Sequence, residues 1–248
     1  MQTEWKRKEL IPNGNLTATI WGPTKVGKTT FALTFPEPLF IVNADRSMDH
    51  LLAEIGDKEY YYIDLVPPGV DVDMPVAKAL FANVKRLMLE AVTVGKGSII
   101  IDGGVRFWDV ITEAFVPNKD NGAMPKAYQK ANSEYEHLLD PIVNSPLNMI
   151  VTNQQKPIYA GATKNTGDFE MAGFSRLPYW MFAVLKGLKV KNVDGTRTHA
   201  IEFGDNGYDT RLEGRILRNP TFDKVYALSY PKSNPELYEA LWMDWAVE

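Results

Sequence analysis

Short apolar runs alternate along this chain with longer segments of helical period. Thr17–Gly22 (TATIWG) reads as a buried strand ending in glycine. Residues 28–35 read as a helix that Pro36 and Pro38 stop. Residues 39–43 (LFIVN) and 59–66 (EYYYIDLV) read as two further strands, the second closed by Pro67-Pro68-Gly69. Over 74–94, Val76, Leu80, Val84, Leu87, Met88, Ala91 and Val92 fall on one helical face. Ser98–Ile101 is a β-branched run ending at Asp102, with a helix after it. Residues 126–143 read as a helix and 147–152 (LNMIVT) as another buried strand.

Strands alternating with helices predict an α/β fold, with a mostly parallel central sheet covered by helices on both faces. After about residue 180 the pattern changes. Residues 182–191, 197–203 and 211–217 read as antiparallel strands, with Asp194-Gly195 and Asn206-Gly207 as turns. A terminal helix over 234–246 is entered by Ser233 or Asn234. The expected organisation is one domain. It has a short segment over 1–15, a core over 16–180, and a β-rich extension with its helix over 181–248.

Composition narrows the chemistry. With 248 residues, 45% of them hydrophobic, the chain can bury a full core. It has no cysteine, which excludes disulfides, thiol nucleophiles and iron–sulfur ligation, and with three histidines a His-rich metal site is not expected. No apolar run is long enough to span a bilayer. With no signal-peptide pattern either, the expectation is a cytoplasmic protein without membrane contact. The net charge of −4 excludes a uniformly basic nucleic-acid coat, so any such binding must use a local patch.

Gly22-Pro23-Thr24-Lys25-Val26-Gly27-Lys28-Thr29 matches G-x-x-x-x-G-K-[ST] in full. Its glycines let backbone N–H groups turn inward around phosphate oxygens. Lys28 reaches the β- and γ-phosphates, and the Thr29 hydroxyl joins a Mg2+ shell. The helix that follows, with Thr30 in its first turn, aims its N-terminal N–H groups at the same anion. By chance this pattern occurs in roughly one chain in a hundred of this length, and here it lies between an expected strand and an expected helix. ATP with Mg2+ is the expected ligand pair. A GTPase is disfavoured, because Asn118-Lys119-Asp120-Asn121 has the wrong order for base reading. Asp102, ending an apolar strand downstream of such a loop, is placed to hold the metal with Thr29.

Four segments, in order, resemble the RecA-like recombinase core: the loop GPTKVGKTT, the strand end Asn43-Ala44-Asp45-Arg46, the strand Ser98–Asp102, and Met149-Ile150-Val151-Thr152-Asn153-Gln154. Small phage-encoded RecA-like ATPases of single-strand annealing and recombination are similar in size. The resemblance covers roughly residues 16–190. It implies an ATPase in which Lys28 stabilises transition-state charge, Asp45 orients the attacking water, and Gln154 senses the γ-phosphate and opens a DNA-binding loop. Asp45 stands where the family usually has Glu, and Gly103 where Ser is common. Taken as residues alone, Asp45 also suits a cap for a helix starting near Arg46. Asn153 and Gln154 also suit ordinary strand-end polar positions. The implied partners are single-stranded DNA, further copies of the chain in a ring or filament, and a single-strand-binding protein. The short segment before the first strand leaves little room for a polymerisation strand.

Residues 155–199 hold seven Lys or Arg and three Asp or Glu, a net +4, which leaves −8 for the rest. Residues 155–177 read as a long, Gly-rich, structureless loop. As a single-stranded DNA loop it would offer Lys156, Lys164 and Arg176 to phosphates, and Tyr159 and Phe169 to bases. As a lid or subunit contact its charge is incidental. A second candidate DNA contact, or simply a solvated helix start, is 116–130, with Lys119, Lys126, Tyr128 and Lys130. Lys189 and Lys191 fall on one face of a strand, near where RecA relatives place cations that reach a neighbour's γ-phosphate. Three other functions remain open: a P-loop motor or loader in DNA replication or packaging, a small-molecule kinase with 155–177 as lid, and a non-hydrolysing nucleotide-binding scaffold in which Asp45 is only structural.

Overall fold

A computed structural model describes residues 14–46, 48–117, 125–160, 164–207 and 209–246. Most of the segment expected before residue 16, and Lys119, lie outside the described residues; of Lys164 only the backbone is described. Five parallel strands come first: β1 (Thr17–Gly22), β2 (Leu39–Asn43), β3 (Tyr60–Asp64), β4 (Ser98–Asp102) and β5 (Asn148–Ala160). β6 (Lys164–Met171) turns back on β5. β7 (Ala183–Lys191) runs parallel to β1, and β8 (Arg197–Asn206) and β9 (Ile216–Arg218) add antiparallel strands beyond it. The sheet order is β3-β2-β4-β5-β1-β7-β8-β9.

The helices are α1 (Lys28–Ala32), α2 (Asp49–Leu52), α3 (Met74–Val94), α4 (Gly104–Phe115), α5 (Gln129–Val143), α6 (Leu177–Trp180), α7 (Phe222–Ser229) and α8 (Pro235–Ala246). Successive strand residues face opposite sides, so Ser98–Asp102 feeds two cores. Ile99 and Ile101 pack with α3, α4 and α5, whereas Ile100 packs with α1 and α7. A strand buried on both faces must be apolar at every position, which is why this run carries no alternation.

Three expectations are revised. The segment 155–177 is not structureless. Residues 155–171 form a β-hairpin from the far half of β5 and β6, paired from Gln155–Met171 to Ala160–Lys164. Both of its faces are largely solvent-exposed, so no apolar period betrays it. The buried face of α3 is Ala77, Phe81, Val84, Met88 and Ala91, which leaves Val76 and Leu80 on its flank. The strand expected over 211–217 shrinks to Ile216–Arg218 behind a 3-10 turn at Thr210–Leu212. Of the two caps proposed for the last helix, Asn234 serves: its Oδ1 accepts the Leu237 N–H at 3.1 Å.

At the end of β2, Asn43 is fully buried and its amide donates to Asp49 and Asp64, each at 2.9 Å. One side chain thus fixes α2 and β3 around the turn that carries Asp45. Asn43→Asp would replace two donations to carboxylates with a third acid. A loss of about 3 kcal/mol of stability near neutral pH is expected from the lost charge-assisted bonds, shrinking as acid protonates the cluster. Thermal melts at both pH values check this.

Candidate active site

The C-terminal ends of β1 and β4 meet the middle of β5, Thr152–Gln154, at one polar centre. β5 lies between β1 and β4 in the sheet, with Gly22 in register with Gln154, and Asp102 with Thr152. Asp102 is 1% exposed. Its Oδ1 accepts the Thr29 hydroxyl at 3.0 Å and the Thr152 hydroxyl at 2.7 Å. The Thr152 oxygen in turn accepts the Gly103 N–H at 3.0 Å. The sequence pairing of Thr29 with Asp102 is therefore a direct contact.

Gly22–Thr29 wraps from β1 into α1. Lys28 Nζ donates to the carbonyls of Gly22, at 3.1 Å, and Pro23, at 2.6 Å. Burial lowers the Lys28 pKa from its ordinary value, and Asp102 and Asp45 pull it back. Lys25 adopts a left-handed backbone, φ 62°, in the loop. Thr24, Lys25, Gly27, Lys28, Thr29 and Thr30 line a cavity of about 750 Å³, with Asp45, Asp102, Thr152 and Gln154 on its other side. Hard oxygens from Thr29 and Asp102, 3.0 Å apart, suit magnesium. Among the described residues no group of three or more His, Cys, Asp or Glu could hold a metal. A bound Mg2+ would therefore draw most of its ligands from phosphate and water.

Asp45 is exposed at the mouth of this cavity. Partial desolvation raises its pKa above the ordinary carboxylate value, and Asp102 adds to the rise. The Gln154 amide, Lys28 and Arg106 act against it. It does not cap α2, whose first residue is Asp49 with Met48 at the cap position and no side-chain cap bond. Gly103 explains how the acid approaches so closely: an ideal Cβ there would lie 2.5 Å from Asp45 Cγ, and its φ is 98°. A Ser at this position would displace Asp45.

Asn153 and Gln154 part company. Asn153 is buried, and its amide donates to Thr19 Oγ1 at 3.0 Å and approaches Met171 Sδ at 3.6 Å, which fastens the foot of the hairpin to β1. Gln154 is exposed towards Asp45, while its carbonyl accepts the Ala172 N–H at 2.9 Å.

The candidate DNA contacts scatter. Lys156 pairs with Glu170 at 3.1 Å across the hairpin. Tyr159 and Phe169 are 54% and 46% exposed on it. Arg176 lies beyond it and pairs with Glu136 at 2.9 Å. Lys126 is exposed on the 3-10 turn before α5. Residues 155–171 hold two Lys and two acids, so the hairpin is neutral and the excess of +4 over 155–199 resides on Arg176 and residues 183–199. Thr152, His50, Lys189 and His199 also line the cavity; the sequence reading gave Thr152, His50 and His199 no place in it and weighed Lys189 only as a cation reaching a neighbour's γ-phosphate. For Thr152 the register against Asp102 was the available signal.

A glycine-rich loop between β1 and α1, with an acidic strand end one strand removed, defines a P-loop NTPase. The family model described as AAA domain matches residues 14–186, well over half of the chain, and the chain belongs to that family. Among solved structures, a KaiC-like protein from the hyperthermophilic archaeon Pyrococcus horikoshii OT3 is similar at 14% identity and a TM-score of 0.46. That match covers 83% of this chain and 90% of that one. No curated protein matches the sequence.

Two substitutions test this geometry. Asp45→Asn removes a carboxylate whose folded pKa is raised. Such a group favours folding below its unfolded pKa, and that contribution is lost as pH rises through the folded pKa. Above that folded pKa the ionised Asp45 therefore costs stability, and there Asp45→Asn is expected to melt higher than the wild type, a difference that closes as the pH falls below it. Thr152→Val strips the buried Asp102 of one donor and the Gly103 N–H of its acceptor, at an expected cost of about 2–3 kcal/mol, read by denaturant unfolding.

Proposed function

We propose that the protein is a Mg2+-dependent ATPase that acts on single-stranded DNA, with nucleotide state passed to the β5–β6 hairpin through Gln154. The observation that carries this reading is one residue with two contacts: the Gln154 side chain faces Asp45, and its main chain closes the foot of the hairpin on Ala172. In this reading ATP occupies the loop Gly22–Thr30 and Lys28 leaves the Gly22 and Pro23 carbonyls for the phosphates. Thr29 and Asp102 hold the metal, whose charge offsets that of the phosphates. Asp45 orients water towards the γ-phosphate, and its raised pKa makes it a stronger base than an ordinary carboxylate. The hairpin presents Tyr159 and Phe169 for stacking on bases.

The hairpin's neutrality favours a second reading, in which its exposed Ile158, Tyr159 and Phe169 contact protein: another copy of the chain or a single-strand-binding partner. Salt separates the two, because DNA phosphate contacts release counterions and weaken steeply as salt rises.

The test is ATP hydrolysis with and without single-stranded DNA, using wild type, Lys28→Ala and Gln154→Ala. Wild-type turnover stimulated by DNA, absent in Lys28→Ala and insensitive to DNA in Gln154→Ala, is the expected result. Tyr159→Ala is expected to weaken DNA binding by about 1–3 kcal/mol. Turnover indifferent to DNA in the wild type would remove the DNA reading, and no turnover at all would leave a nucleotide-binding scaffold.

A further inference from the structure

The β7–β8 pair lies against the phosphate loop. An ideal Cβ on Gly27, whose φ is 85°, would sit 2.8 Å from His199 Cγ and 2.9 Å from its Nδ1, so the imidazole rests directly on the loop backbone. Gly187 makes the neighbouring contact: a Cβ there would lie 2.9 Å from Val26 Cγ2 and 3.4 Å from Lys28 Cγ. Lys189 is two residues further along β7 and therefore on the same face as Gly187. It is also paired directly with His199 across the strands, and such partners share a face. Both Lys189 and His199 line the cavity that holds Lys28, Thr29 and Thr30. Lys186 has the opposite orientation, with its ammonium 5.7 Å from the Trp21 ring and 3.6 Å from Glu202.

Lys189 is exposed and makes no ion pair among the described residues. A cation without a carboxylate partner, lining the same cavity as the loop's own lysine, suits a polyanion held there. We propose that Lys189 and His199 bind the α- and β-phosphates of the nucleotide held by their own chain's loop, from the β7–β8 side of the cavity. This rests on the nucleotide-binding reading above. The loop backbone cradles those two phosphates, and His199 touches that backbone at Gly27. Charge-assisted bonds from Lys189 and His199 would complete the cradle. The contact is to groups that ATP and ADP share, and it is made within one chain.

The experiment is calorimetric titration of the full chain with Mg·ATP and with Mg·ADP. It compares wild type, Lys189→Ala, His199→Ala, Lys28→Ala and Lys186→Ala. Loss of one charge-assisted bond corresponds to about a tenfold rise in Kd. Lys189→Ala and His199→Ala are each expected to show that rise for both nucleotides, with Lys186→Ala at wild-type affinity. The ligand-free melting temperature of Lys189→Ala should stay at the wild-type value. If His199→Ala fails to fold, His199→Gln and Lys189→Ala carry the test. Wild-type affinities in Lys189→Ala and His199→Ala, with binding lost in Lys28→Ala, would overturn this proposal and leave the nucleotide site standing. Weakening confined to ATP, and restored when Lys189→Ala is mixed with Lys28→Ala, would overturn it in favour of a cation reaching a neighbour's γ-phosphate. A wild-type chain that binds neither nucleotide would overturn both readings.

Discussion

A buried charge organises this molecule. Asp102 ends a strand that is apolar on both faces and is shielded from water, a position that costs several kcal/mol unless the carboxylate is hydrogen-bonded. The two hydroxyls that meet its Oδ1 come from different parts of the chain, Thr29 on α1 and Thr152 on β5. Satisfying one acid thus draws together the phosphate loop, the acidic strand end and the strand leading to Gln154. The Gly103 N–H, bound to the Thr152 hydroxyl, then sets the turn into α4. In the proposed reading, the same anion would face the cation.

The same region carries strain of a kind suited to work. Asp45 stands at the cavity mouth, where partial desolvation raises its pKa and nearby Asp102 adds to the rise. Only a residue without a side chain at 103 lets it stand there. Its neighbour Arg46 sits in a left-handed conformation, φ 54°, and donates to the Val66 carbonyl at 2.6 Å. Costly geometry held in place beside a nucleotide pocket is a common property of functional sites. Gln154 opposes the rise at Asp45 and shares its residue with the foot of the hairpin, so a change at the phosphates has a short route outward.

The phosphate loop, the β4 strand and the Asn-Gln strand end were legible because each places chemistry at the end of an apolar run. Their convergence follows from the parallel order of β1, β5 and β4, which carries all three segments to one edge of the sheet. The hairpin was not legible. Its strands bury little, so the alternation that marks a half-buried strand is missing from 155–171. The charge count was legible but misplaced: the excess of +4 over 155–199 lies on Arg176 and residues 183–199, while the hairpin itself is neutral. Asn153 shows the limit of residue-type reasoning. It sits beside Gln154 in the sequence, yet it faces the buried side of β5 and holds Thr19. His199 offered no signal, because its place on Gly27 depends on the docking of β8, about 170 residues later in the chain.

The central claim is that the phosphates and the hairpin communicate through Gln154. Hydrogen exchange across residues 154–172, with Mg2+ and either a non-hydrolysable ATP analogue or ADP, tests it most directly. The account expects the amides at the hairpin foot, Ala172 above all, to exchange at different rates in the two states, and Gln154→Ala to erase that difference. Identical exchange with both nucleotides, in a chain shown to bind them, would contradict it.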